Sequence, residues 1–208
     1  MVCVALVAAL GCKTTQGDKV EGEGDAKVEE AAKLPTPPQP AVPLEVLYDE
    51  ENMGALNDWA FAFADWERVG EFRLGMQIDE VVAKLGEPEE LESQSEWYGS
   101  EVDYYGYPSK GYGFHVERLV EELEGQVISI SVREPAADKT RLGIAVGAHA
   151  EEVEEVYGPY VNWSVSGETN LSAGFMYSWV QFQLADGFVD EIHIGTGDPF
   201  ESMGDGED

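Results

Sequence analysis

The sequence predicts an α+β fold of two tandem units, each a short helix followed by antiparallel strands, sharing one sheet with the helices on one of its faces. Three observations carry this. The stretch Gly75-Met-Gln-Ile-Asp-Glu-Val-Val-Ala-Lys-Leu-Gly86 recurs as Gly147-Ala-His-Ala-Glu-Glu-Val-Glu-Glu-Val-Tyr-Gly158, 72 residues on (147 minus 75). Gly125-x-Val127-x-x-Ile130-x-Val132 recurs as Gly187-x-Val189-x-x-Ile192-x-Ile194, 62 residues on (187 minus 125), so the second unit is the more compact. The first pattern has the apolar spacing of a helix and the second the alternation of a strand.

Residues 1–11 are uncharged and mostly apolar. They fall short of the ~20 residues a spanning helix needs but suit the apolar part of a signal peptide. Ala9-Leu10-Gly11-Cys12 resembles a bacterial lipobox, so Cys12 is the expected lipidated N-terminus of the mature chain. The alternative is a plain secretory leader in which Cys12 is incidental. Residues 12–43 are rich in Gly, Glu, Lys, Ala and then Pro, with too little apolar surface to fold, and read as a tether reaching on the order of 30 Å. Residues 44–71 form an apolar, aromatic lead-in that should pack on the body. A helix from about Asp49 to Trp66 is the preferred reading, with the spacing of two among Trp59, Phe61 and Phe63 as the competing strand signal.

The first unit spans 72–133. Ile78, Val81, Val82 and Leu85 form one helical stripe, Asp79 and Glu80 sit in the first turn, and Gly86 followed by Pro88 stops the helix. The second unit spans 144–195, where Ala150, Val153, Val156 and Tyr157 with Gly158 and Pro159 repeat the pattern. Val82 and Val153 are expected on the buried sides of the two helices. Each helix should precede about three strands. Val180, Phe182 and Leu184 lead to Asp186-Gly187, a type I′ turn signal, and the chain returns through Val189 to Ile194. In the first unit a longer excursion from Arg118 to Gly125 replaces that turn. Residues 196–208 read as an acidic tail.

Composition excludes several functions. Twelve basic against 42 acidic residues give a formal charge of −30, which repels nucleic acid and anionic lipid headgroups. Both cysteines, Cys3 and Cys12, precede the body, which therefore has no internal disulfide, thiolate metal site or Cys nucleophile. His115, His149 and His193 lack metal-ligand spacing and read as ordinary surface histidines, so no metal or other cofactor is expected. No Gly-x-Ser-x-Gly elbow or phosphate-binding loop occurs, and acidic pairs are too abundant to mark a hydrolase. The chain is expected not to be an enzyme.

The phrase Leu74-Gly75-Met76-x-x-x-Glu80-Val81-x-x-x-Leu85-Gly86-x-Pro88, downstream of a lipobox, resembles the small outer-membrane lipoproteins of the SmpA/OmlA (BamE-like) group. The doubled arrangement is similar to the β-lactamase inhibitor protein fold. Coverage runs from about Phe72 to Gly195. The resemblance implies short helices on an antiparallel sheet and a binding role. No Gln-Gly-Asn segment precedes the first helix, so a role in β-barrel assembly does not carry over, nor do the inhibitor's contact residues. Lys13 after the cysteine implies the outer membrane by the enterobacterial sorting rule.

Residues 97–114 hold Trp97, Tyr98, Tyr104, Tyr105, Tyr107, Tyr112 and Phe114 among glycines, and the second unit has Trp163, Tyr177 and Trp179. These either fill a thin core or form a Tyr/Trp recognition surface. If Ile130/Val132, Ile192/Ile194, Val180 and Phe182 face the helices, then Ser129/Ser131, Glu191/His193, Tyr177, Trp179 and Gln181 share the other face. A partner-binding surface of Tyr177 and Trp179, joined by Trp97, Tyr105 and Tyr107, follows as the expectation. The protein expected is a lipid-anchored, extracytoplasmic binding module for a protein or envelope partner, at the outer membrane facing periplasm or cell surface. A structural envelope scaffold or spacer is the alternative, and a hydrolase the third and least favoured reading.

Overall fold

In a computed structural model of the chain the described residues are 36–40, 53–97, 100–163, 166–175 and 178–196. Among the described residues the fold is α+β, with three α-helices and a seven-stranded antiparallel sheet. In chain order the elements are α1 (Met53–Trp66), α2 (Ile78–Leu85), β1 (Glu90–Trp97), β2 (Ser100–Tyr107), β3 (Tyr112–Glu117), β4 (Val127–Arg133), α3 (Ala150–Tyr157), β5 (Asn170–Phe175), β6 (Ser178–Ala185) and β7 (Phe188–Thr196). The strand order is β1-β2-β3-β4-β7-β6-β5, so the first four strands meet the last three through β4 and β7. Cys12, the leader, most of the tether and the acidic tail lie outside the described residues.

The helix entries are wired alike at the sequence offsets of the two patterns. Gly75 N–H donates to Val127 O at 2.8 Å and Gly147 N–H to Val189 O at 2.7 Å. Ile78 N–H reaches Gly125 O, and Ala150 N–H reaches Gly187 O, each at 2.9 Å. Gln77 and His149 occupy the N-cap positions, where each backbone N–H donates to a glutamate three residues on, Glu80 or Glu152. The helix ends differ. Gly86 takes φ +83° and ends α2, whereas Gly158 stays right-handed at φ −45° and passes into a 3₁₀ turn, Gly158–Tyr160. This corrects the expectation of matching stops: Pro159 has the fixed φ that the first turn of a new helical segment accepts.

The pleat sets which strand residues enter the core. Phe114, Ile130, Ile194, Val180 and Ala173 stand abreast across β3, β4, β7, β6 and β5, and all are fully buried. The same apolar core contains Val81 of α2, Val153 and Tyr157 of α3, and Leu56, Trp59, Ala60, Phe63 and Ala64 of α1. Phe63 meets Tyr160 at 5.2 Å between ring centroids, and Tyr157 meets Phe182 at 4.8 Å. In α2 the buried valine is Val81, while Val82 is half-buried. Val153 is fully buried as expected, whereas the expectation for Val82 is corrected: the helix turns it to the rim of the apolar stripe and buries Val81, 72 residues before Val153, instead.

A buried carboxylate ties these layers. Glu67, with no exposed surface, follows α1 and accepts from Arg68 N–H at 3.0 Å, Arg141 N–H at 2.6 Å and the Tyr157 hydroxyl at 2.6 Å. Arg141 returns Nη1 to Trp66 O at 2.5 Å and lies 4.8 Å from the Trp66 ring centroid. Burial pushes the Glu67 carboxyl up, and the hydrogen bonds from Tyr157 and the two backbone amides only partly oppose it.

The hairpins follow the sequence signals. Asp186 and Gly187 take φ +52° and +82°, the positive pair of a type I′ turn between β6 and β7. Residues 118–126 form the longer link between β3 and β4. The first half contributes four strands, one more than expected, and the extra strand β1 lies at the sheet edge.

Candidate functional site

Residues that alternate with the core set lie on the other side of the sheet. Across β2, β3, β4, β7, β6 and β5 the register aligns Gly106, Gly113, Ser131, His193, Gln181 and Ser172. Two positions along, Tyr104, His115 and Ser129 stand abreast, followed by Gly195, Trp179 and Gly174. A cleft of about 410 Å³ opens here, lined by Glu90, Tyr104, Tyr112, His115, Ser131, Arg133, Glu134, Glu191 and His193 among others.

Glycines seat Tyr104, one of its lining residues. A Cβ at Gly113 would stand 2.6 Å from Ser131 Oγ and 2.7 Å from the Tyr104 hydroxyl oxygen, and one at Gly106 would stand 2.9 Å from the Tyr104 ring. Only without side chains there can Tyr104 lie down across the sheet. Its ring meets that of His115 at 5.2 Å between centroids. Burial pushes the His115 imidazole down to about 4, with His193 adding to the effect.

At the other wall Glu191, 3 % exposed, holds Arg133 Nε at 2.6 Å and His193 Nε2 at 2.8 Å from the same oxygen. Neither contact has hydrogen-bond geometry, so the Arg133–Glu191 pair acts through charge rather than direction. Burial works against charge on Glu191, yet the close His193 and Arg133 overcome it and hold the carboxyl below its usual value. Arg133 gains from the same contact: Glu191 raises its pKa. The guanidinium is thus gripped at Nε with its side chain still mostly exposed, and its outer nitrogens can meet a ligand.

The sequence-predicted site residues fare differently. Trp179 does lie on this face, but its ring lies flat over Gly195, where a Cβ would stand 3.0 Å from it, and only 6 % of the residue is exposed. That corrects the expectation of an exposed indole: a missing side chain at Gly195 gives the ring a bed. Tyr105 and Tyr107 belong to the core side of β2. Tyr107 is fully buried, packs edge-on to Phe114 and donates its hydroxyl to Gly86 O at 3.1 Å, so it closes the end of α2 rather than meeting a partner. Tyr105 is half-buried against the same core. Tyr177 and the side chain of Trp97 lie outside the described residues.

Sequence reasoning named Tyr104 among the aromatics of residues 97–114 without choosing it for the surface, missed Arg133, and read His115 and His193 as ordinary surface histidines. The alternation Tyr104-x-Gly106 on one strand and Gly113-x-His115 on the next was the available signal. His149 caps α3, with Nδ1 accepting from Glu151 N–H at 3.3 Å.

Chemically the cleft can accept and donate hydrogen bonds and carries three carboxylates against one guanidinium. Ser131 and His193 are cross-strand neighbours, yet among the described residues no hydrogen bond joins them as a nucleophile and base would be joined. Among the described residues no group of three or more His, Cys, Asp or Glu is placed to hold a metal ion. No described helix is long and apolar enough to cross a membrane. No protein-family model, curated protein or solved structure matches the chain.

Proposed function

We propose that this protein is a membrane-tethered extracytoplasmic lipoprotein, anchored through Cys12, that acts as a non-catalytic binding module for a protein or envelope partner. Its body is read as two tandem units of the SmpA/OmlA (BamE-like) kind, with helices on one face of the shared sheet. The paired hydrogen bonds at offsets of 72 and 62, Gly75 to Val127 and Gly147 to Val189, support the duplication. The single observation that carries the binding reading is the cleft on the side of the sheet away from the core, where Tyr104 lies on Gly106 and Gly113 beside the Glu191–Arg133–His193 cluster. A buried carboxylate held between a guanidinium and an imidazole on a sheet face contributes little to packing and is suited to recognition.

The test is site-specific photocrosslinking in the native envelope, with the reactive residue replacing Gln181 on the cleft face or Lys84 on α2. A discrete adduct from position 181, absent from 84 and lost on adding Arg133→Ala, is the expected result. Equal labelling from both positions would refute the cleft face as the binding surface. The anchor is tested separately: Cys12→Ser should release the protein from the membrane fraction, and undiminished retention would overturn it.

A further inference from the structure

The loop between β3 and β4 does something the fold does not require. The hairpin of β6 and β7 closes with Asp186-Gly187, yet the β3–β4 connection uses residues 118–126 and places three aliphatic side chains in water. Leu119 is 62 % exposed, Val120 41 % and Leu123 40 %. Glu121, Glu122 and Glu124, all exposed, surround them.

The loop is held in shape. Glu117 is buried, and its Oε1 accepts from the backbone N–H groups of Arg118, Leu119 and Val120 at 3.1, 3.0 and 3.3 Å. Its backbone closes the neck, with Glu117 N–H donating to Gln126 O and Gly125 N–H to Glu117 O. Within the loop Leu123 N–H donates to Val120 O and Gln126 N–H to Leu123 O. Arg118 anchors the outer side to Glu101 on β2. One carboxylate capping three consecutive amides removes the freedom that an exposed apolar loop would otherwise lose on binding. Long loops with their own internal order, in a place where two residues suffice, are functional more often than connective.

Charge selects the occupant. The acidic rim, on a chain of net charge −30, opposes an anionic lipid surface and a second copy of the same chain. A protein surface with an apolar groove bordered by Lys or Arg satisfies both the aliphatic centre and the rim. We propose that the loop 118–126 is a preorganised docking finger, whose Leu119, Val120 and Leu123 enter such a basic-bordered groove on a protein partner. The finger lies at the opposite end of the β3–β4 hairpin from Arg133, roughly 20 Å away along β4, so it is a contact separate from the cleft and does not depend on it.

Fluorescence anisotropy of the full chain with two synthetic amphipathic helical peptides, alike in apolar face but flanked by Lys or by Glu, tests this. The Lys-flanked peptide should bind and weaken with salt, and the Glu-flanked one should not bind. Leu119→Ser with Leu123→Ser should reduce affinity about tenfold or more, without shifting the unfolding midpoint because both residues are exposed. Glu121→Lys with Glu122→Lys should reverse the peptide preference, and Arg133→Ala in the cleft should leave peptide binding unchanged. Binding of the Lys-flanked peptide that survives the double serine variant would reduce the effect to general acidity and overturn the finger. Absence of binding by the unaltered chain overturns it too. Leucine-dependent binding to phosphatidylcholine vesicles, or leucine-dependent dimerisation in sedimentation, would assign the loop to a membrane or to self-association instead.

Discussion

Replacing Glu67 isolates how the lead-in helix is fastened to the body. The side chain has no exposed surface and accepts three hydrogen bonds, from Arg68, Arg141 and Tyr157. Glu67→Ala removes the acceptor of the Arg141 amide and of the buried Tyr157 hydroxyl. At about 1 kcal/mol net per bond plus the penalty for orphaned buried groups, the loss is roughly 3–5 kcal/mol. Glu67→Gln keeps one oxygen for the two amides, and its new NH₂ can donate to a Tyr157 hydroxyl turned to accept, so its cost is about 1 kcal/mol. The two variants also separate through pH. The folded carboxyl is raised above 4.5, so the folded chain keeps a proton that the unfolded chain releases. The stability this contributes is present below the unfolded value and is lost as pH rises through the folded one, a fall that Glu67→Gln abolishes. Urea unfolding followed by far-UV circular dichroism, at a series of pH values, measures both effects. A Glu67→Ala variant within about 1 kcal/mol of the parent would show that the site relaxes or admits water. The claim that Glu67 fastens α1 would then fail.

Two further outcomes follow from burial and titration. Val81→Ala should cost about 1–3 kcal/mol and Val82→Ala distinctly less, because only Val81 is fully enclosed; equal costs by urea titration would contradict the assigned helix face. His115 has its folded pKa lowered from 6.5 to about 4, so the unfolded chain takes up the proton first as pH falls. Stability should therefore decline between those two values by up to roughly 3 kcal/mol, and His115→Gln should remove that part of the slope. An unchanged slope would mean that His115 stays hydrated.

What the sequence determined by itself is whatever depends on neighbours in the chain. The helix stripe of Ile78, Val81 and Leu85, the stop at Gly86, the Asp186-Gly187 turn and the alternation of Ile130 with Ser131 are local rules of spacing and backbone preference, readable without a partner strand. Tertiary structure decided the rest, because a ring's exposure depends on what lies beneath it. Trp179 and Tyr104 share a face, and both lie down on glycines supplied by other strands, Gly195 under one and Gly113 under the other. No periodicity within β6 or β2 reveals those beds. Parity along β2 settled Tyr104 against Tyr105 and Tyr107 only once the register with β3 fixed which side of the sheet held Phe114. The Glu191–Arg133–His193 cluster likewise joins β4 to β7 across a strand pairing, and Glu67 meets Tyr157 from 90 residues away. Electrostatics and burial act through space, so residues that look like ordinary surface charge in the sequence become a site only when the sheet brings them together.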